Sequence, residues 1–218
     1  MSFKLTCVPV GHDWWGKNCV TITQLFGENA NDFYAQLGLK GHNGIDYRTV
    51  NWQDAKAPVY ATHDGYVVSD KNAQSDTAGR YVQLMSDETE IDGKPCKVYT
   101  LYFHLSKARV SITDLLDSAW FWKKPQQRFV RAGTLIGYSG NTGQFTTGPH
   151  LHFGMYILWK RSDGSFTADT DNGYGGAVDP LPYQEDRTVY QNGFLTRAFY
   201  YNGKQVPEVD LNKYIVKL

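Results

Sequence analysis

Cysteine is scarce in this chain of 218 residues. Its three copies, Cys7, Cys19 and Cys96, form neither a CxxC pair nor a zinc-ribbon spacing. A disulfide scaffold is thereby excluded as the organising feature, and three separate thiols are expected. A Cys7–Cys19 disulfide is the alternative for a protein working outside the cell, and Cys7, His12 and Cys19 lack the fourth ligand of a structural metal site. Charge of one sign is not in excess either, 22 Lys and Arg standing against 22 Asp and Glu. No global field therefore draws the chain to nucleic acid or to an anionic wall polymer. No apolar run approaches the roughly 20 residues that span a bilayer. The opening MSFKLTCVPVGHDWW has no continuous apolar core and no small-residue cleavage site, so no secretory leader is expected. Repeats and low-complexity linkers are absent. The glycine-rich GYSGNTGQFTTGPH ends without Lys-Ser/Thr and leads into a strand, which excludes a phosphate loop.

What is present points to β structure. Aromatic residues make up 15% of the chain, and such residues favour strands; stacking on sugar rings is the second reading of the same feature. APVYAT, GYVVSD, RYVQLMS, CKVYTLYFHL, TLIGYSG and HLHFGMYILW are short runs rich in Val, Tyr, Ile and Leu and bounded by Gly or Asp. Asp92-Gly93 predicts a type I′ hairpin, whose two central residues both need positive φ. The fold class expected is mainly β with a few short helices: an antiparallel sheet folded on itself around one open groove. NANDFYAQLG predicts a short helix capped by Asn29 or Asn31 and ended by Gly38. SITDLLDSAWFW predicts another, capped by Ser111 or Thr113 and stopped by Pro125. The expected layout is an N-terminal arm over 1–20, a main domain over 21–185 with a helical insertion near 111–129, and an extension over 186–218. About 35 residues cannot bury a core alone. The extension, with turns at Gln191-Asn192-Gly193 and Tyr201-Asn202-Gly203, should therefore dock on this chain or on a partner.

Histidine carries the functional signal. Of six in the chain, four fall in three short segments: His42 in GHNGIDY with Asp46, His104 in LYFHLS, and His150 with His152 in GPHLHFGMY. Side chains at even spacing share a face of an extended strand. His42 with Asp46, and His150 with His152, can thus point into one groove. Two imidazoles and one carboxylate with an open position suit a catalytic Zn²⁺ site, since a structural site is closed by a fourth protein ligand. One histidine of the HxH pair and His104 are then left over as imidazoles beside the metal. Tyr102, two before His104 and on its face if the strand is regular, is either an oxyanion contact or a packed tyrosine. His63 in ATHDGYVV reads as a surface or turn residue, and His12 as structural.

His42-Asn-Gly-Ile-Asp46, Tyr102-Phe-His104-Leu-Ser and His150-Leu-His152-Phe-Gly, in that order and joined by APVYATHDGYVV and VRAGTLIGYSGNTGQFTTGPHLHF, resemble the lysostaphin-type (LytM-type) zinc endopeptidases of peptidoglycan. The resemblance runs from about Thr21 to about Tyr183. It implies zinc held by His42, Asp46 and His152, with His104 and His150 as unliganded catalytic histidines. The implied substrate is a peptide cross-link or stem peptide of the bacterial cell wall. The insertion SITDLLDSAWFWKKPQQRF and the 35 residues after AVDPLPY depart from the family pattern and bear on which wall or partner is engaged. A wall enzyme without its own export signal needs other delivery, and a phage virion or holin-dependent lysis is expected, with phage tail proteins or self-association through the C-terminal arm as partners. A catalytically silent scaffold of the same fold, such as a phage structural or hydrolase-activating protein, is the alternative. Relatives of that kind have lost ligands, whereas all five positions are filled here. A non-haem iron oxygenase also uses two histidines and a carboxylate, but the HxxxD spacing, the HxH pair and the additional His104 argue against it.

Overall fold

Period-two alternation builds the architecture. In the computed structural model, which describes residues 3–10, 22–28, 32–49, 55–71, 77–108, 128–184, 200–201 and 204–205, one short α-helix and two single-turn 3₁₀ helices accompany fifteen strands. The chain begins with β1 (Ile22–Gln24), α1 (Asp32–Gln36), β2 (Ile45–Arg48), β3 (Pro58–Tyr60) and β4 (Gly65–Lys71). It continues through β5 (Arg80–Met85), β6 (Thr89–Ile91), β7 (Lys94–Leu105), β8 (Lys107–Ala108), β9 (Phe129–Val130) and β10 (Leu135–Tyr138). The last five are β11 (His150–Lys160), β12 (Phe166–Ala168), β13 (Ala177–Val178), β14 (Tyr200–Tyr201) and β15 (Lys204–Gln205). The large sheet runs β1-β2-β11-β7-β5-β4-β9, with β12 and β13 added to β11 and β6 added to β7. A smaller sheet runs β3-β10-β8, and all these pairs are antiparallel. The protein is mainly β, and all six strands expected from the sequence are present.

The core explains why β11 sits where it does. Leu151, Phe153, Met155 and Ile157 are at most 4% exposed and pack with Ile45 and Tyr47 of β2 and with Val98 and Tyr102 of β7. The same cluster takes Val59 and Ile136 from the small sheet. A slip of one residue would move those four apolar side chains into the groove and drive His150 and His152 into the core. At about 1.5–3 kcal/mol per buried side chain, that outweighs any local preference, so the register is fixed. Asp92 (φ 50°) and Gly93 (φ 74°) form the expected I′ turn between β6 and β7.

The helix predicted within NANDFYAQLG is α1, and Gly38 (φ 73°) ends it, donating its N–H to the Ala35 carbonyl; Asn29 and Asn31 lie outside the described residues. The part of the N-terminal arm that is described packs on the domain, Leu5, Val8 and Val10 being buried. The predicted insertion helix and the turn at 191–193 lie outside the described residues, as do His12, Trp14, Trp15 and Cys19. Cys7 and Cys96 are free thiols. In the extension, β14 pairs with β15 and lies beside β1, while the residues of the predicted turn, Asn202 and Gly203, lie outside the described residues. Among the described residues no helix is long and apolar enough to cross a membrane.

Candidate metal centre and groove

The alternation that buries Leu151 and Phe153 turns His150 and His152 to the opposite face of β11, and the β2–β11 register places Asp46 directly across from His152. Those two are therefore a cross-strand pair, side by side on the groove face. His42 arrives differently. Even spacing along one strand predicted that it would share a face with Asp46, but β2 begins only at Ile45 and His42 precedes it. Hydrogen bonds to another segment hold it: its N–H donates to the Glu28 carbonyl (2.8 Å), its carbonyl accepts from Gly27 (2.8 Å), and its Nδ1–H donates to the Leu25 carbonyl (3.1 Å). That last bond fixes the tautomer, leaving the Nε2 lone pair to face the groove.

Three donor atoms converge. His42 Nε2 lies 3.0 Å from His152 Nδ1 and 3.2 Å from Asp46 Oδ1, and His152 Nδ1 lies 3.0 Å from the same oxygen. A tetrahedral zinc with bonds near 2.0–2.1 Å needs its ligand atoms about 3.3 Å apart, so the set fits such an ion to within a few tenths of an ångström. Burial raises the Asp46 carboxyl, but the surrounding imidazoles, His42 first, outweigh it and hold the group well below the usual carboxylate range. Burial keeps His152 below the usual imidazole range despite the carboxylate beside it. An ionised carboxylate and two imidazoles, all buried, form a group able to hold a metal cation.

A feature the histidine count did not reveal is Gly44, between the two halves of HNGID. A Cβ there would lie 2.6 Å from the Phe153 carbonyl and 2.7 Å from His152 Cε1. Only a residue without a side chain lets β2 approach the His152 ring this closely. Phe103 stacks on the other side of that ring, at 5.7 Å between centroids and 22° between planes. A glycine between the two polar positions and an aromatic before His104 were the available signals.

His104 reaches the groove because β7 is irregular. Val82 pairs with Tyr102 and Arg80 with Leu105, so one residue of β5 faces two of β7, a β-bulge at Phe103–His104. His104 has φ 61°, a left-handed conformation uncommon for a side chain other than glycine. Regular alternation would have put it in the core beside Tyr102. The reading of Tyr102 as an oxyanion contact fails for the same reason: it is fully buried, and its hydroxyl bonds to the N–H and Oγ1 of Thr62. His104 Nδ1–H donates to the Thr142 carbonyl (2.8 Å) and His150 Nδ1–H to the Gly148 carbonyl (2.7 Å), so both rings keep Nε2 for the groove. Their centroids are 4.8 Å apart. His150 Nε2 lies 3.7 Å from Asp46 Oδ2. Burial, reinforced by His150 and His152, pushes His104 down to about 4.

These side chains line a groove of about 480 Å³. Its rim carries Phe33 and Leu37, at and just beyond α1, opposite Phe145, and the two phenylalanines meet edge-on at 5.4 Å. Among the described residues lining it, Asp46 is the sole one with a formal charge apart from the histidines. His63, expected as a surface or turn residue, lies in the turn before β4 but is buried there; Nδ1 donates to the Asp64 carbonyl and Nε2 bonds with Thr100 Oγ1.

Residues 40–165, which carry this His-Asp-His set and the two further imidazoles, match Peptidase family M23, and the chain belongs to that family. It is 32% identical over 149 residues to the glycyl-glycine endopeptidase ALE-1 of Staphylococcus capitis, covering 67% of this chain and 30% of that protein. It is 31% identical to lysostaphin of Staphylococcus simulans over the same length, covering 67% of this chain and 22% of that protein. The chain thus spans less than a third of the length of these curated relatives. Among solved structures it resembles the catalytic domain of lysostaphin from Staphylococcus simulans, with 24% identity, a TM-score of 0.42, and coverage of 81% of this chain and 88% of that one.

Proposed function

We propose that the chain is a zinc endopeptidase hydrolysing peptide cross-links or stem peptides of bacterial peptidoglycan, with His42 Nε2, Asp46 Oδ1 and His152 Nδ1 as the metal ligands. The observation that carries this reading is the convergence of those three atoms beside two imidazoles, His104 and His150, whose Nε2 atoms are left for the groove. A zinc ion held there supplies Lewis acidity, polarising a carbonyl and bringing the pKa of water to about 7. The protein's part is proton handling and orientation. With Nδ1 committed to a carbonyl, the His150 ring accepts the proton of the attacking water at Nε2, which lies 3.7 Å from Asp46 Oδ2. The ring then returns the proton to the leaving amine. His104, across from it, orients the water or faces the developing oxyanion.

A groove lined by aromatic, amide and hydroxyl side chains suits an extended, uncharged stretch of peptide. The name of the ALE-1 relative makes a glycine-containing bridge the first bond to test, with a D-alanyl cross-link as the other. The decisive experiment pairs metal analysis of the purified chain with mass spectrometry of peptidoglycan sacculi digested by it. One zinc per chain and new peptide termini are expected. Intact cross-links after incubation with the zinc-loaded protein would sink the proposal.

A further inference from the structure

Resting on the reading of His104 as a catalytic imidazole, we infer that Thr142 is the positioning residue that holds His104 in its left-handed conformation and selects its tautomer. Alternation places His104 on the core side of β7, and the bulge alone does not decide where its ring points. The loop after β10 decides it. The Thr142 carbonyl accepts the His104 Nδ1–H (2.8 Å), while the Thr142 hydroxyl donates to the Leu105 carbonyl (2.8 Å) and accepts the Arg80 N–H (2.9 Å). One residue therefore bonds to the histidine, to its successor in β7, and to the residue paired with that successor in β5.

The fit around Thr142 is close. Gly79 has φ 66°, and a Cβ there would overlap the carbonyl and hydroxyl of Thr142. Next to it, the Ala78 carbonyl accepts the His104 backbone N–H (3.0 Å). His104 is 5% exposed and Thr142 is 6% exposed, so water does not compete for these bonds. Both the carbonyl and the hydroxyl of Thr142 act at the bulge, and neither bonds to a metal ligand. Hydrogen bonds to the distal nitrogen of an imidazole fix both its tautomer and its direction.

The test uses the zinc-loaded chain with purified sacculi as substrate, reading release of soluble muropeptides, together with ¹⁵N NMR of histidine-labelled protein. In the parent, the His104 ring should carry its proton on Nδ1. T142V keeps the shape and removes the hydroxyl; kcat should fall about 10- to 100-fold, since a misplacement of about 1 Å costs on that order. KM should stay within about twofold and zinc at one per chain, because neither the groove walls nor the ligands are touched, and a second His104 tautomer should appear. T142S keeps the oxygen and should restore kcat to within about threefold of the parent. Should T142V not fold, T142A removes the same hydroxyl with less crowding and is read in the same way. A parent ring protonated at Nε2, a hydroxyl-free variant with parental turnover and tautomer, or equal losses in the serine and hydroxyl-free variants would each overturn the inference. The underlying functional reading fails separately: His104→Ala with full turnover would remove the catalytic role of the ring, while the tautomer measurements still decide what Thr142 does.

Discussion

Gly44→Ala tests the metal centre without touching a ligand. The added methyl would lie 2.6 Å from the Phe153 carbonyl and 2.7 and 2.8 Å from His152 Cε1 and Nε2. Apolar contact begins near 3.5 Å, so something must yield by about 0.7–0.9 Å. If the His152 ring yields, Nδ1 leaves the position that faces His42 and Asp46, and metal sites tolerate only about ±0.2 Å in ligand distance. If β2 yields, it separates from β11, and overpacking of this kind costs about 1–3 kcal/mol. Either way zinc affinity should fall about 10- to 100-fold, the range for lost support around a ligand, which corresponds to about 1.4–2.7 kcal/mol. Competition with a chromophoric chelator measures it directly, and excess zinc should recover part of the lost activity. Gly154→Ala is the control on β11, because its methyl meets only the Leu101 side chain, at 3.4–3.6 Å. Parental zinc affinity and melting temperature in Gly44→Ala would refute the reasoning, as would an equal loss in the control.

Removing a ligand and removing a base should separate cleanly: His152→Ala loses zinc, while His150→Ala keeps it and loses about 10²- to 10⁴-fold in kcat, as read by metal analysis and muropeptide release. Chelation should abolish turnover, and zinc at about 1,000 times its Kd should stabilise the fold by about 4 kcal/mol in thermal denaturation. His63 supplies a pH effect away from the metal. Burial holds it down to about 4 in the folded chain, against about 6.5 unfolded. The unfolded state therefore binds the extra proton, and stability falls as pH drops from about 6.5 to 4, by about 3 kcal/mol for this group. His63→Gln should flatten the chemically measured stability curve by that amount over that window, and parallel curves for parent and variant would contradict the assignment. At the groove mouth, replacing Phe33 and Phe145 together by alanine should raise KM for sacculi several-fold with zinc content unchanged, since aromatic contacts contribute about 0.5–1.5 kcal/mol each; an unchanged KM would mean that substrate does not pass between them.

Local pattern was enough for much of the fold. Alternation in HLHFGMYILW placed both histidines on one face of a strand, and Asp92-Gly93 marked its hairpin, because face and turn are properties of a few consecutive residues. The four histidines and the aspartate of the groove stood out in the sequence by type and spacing, and the fold gathers all five in that groove. The short strands β1, β2, β6, β12 and β13 had no comparable signal, being two to four residues long and defined by their partners.

Contacts between distant segments decided the rest. His42 faces Asp46 because residues 25–28 hold it there, not because both belong to one strand. His104 faces the groove because a bulge and Thr142 override the alternation that would bury it, and that same override leaves Tyr102 in the core. His63 is buried because Thr100, from another strand, satisfies its ring. The sequence by itself determined which side chains share a face along the regular stretches of strand, as in β11, and which residue types are available to a metal. Register, bulges and the meeting of segments a hundred residues apart depend on long-range packing and hydrogen bonding, and only the tertiary structure could decide those.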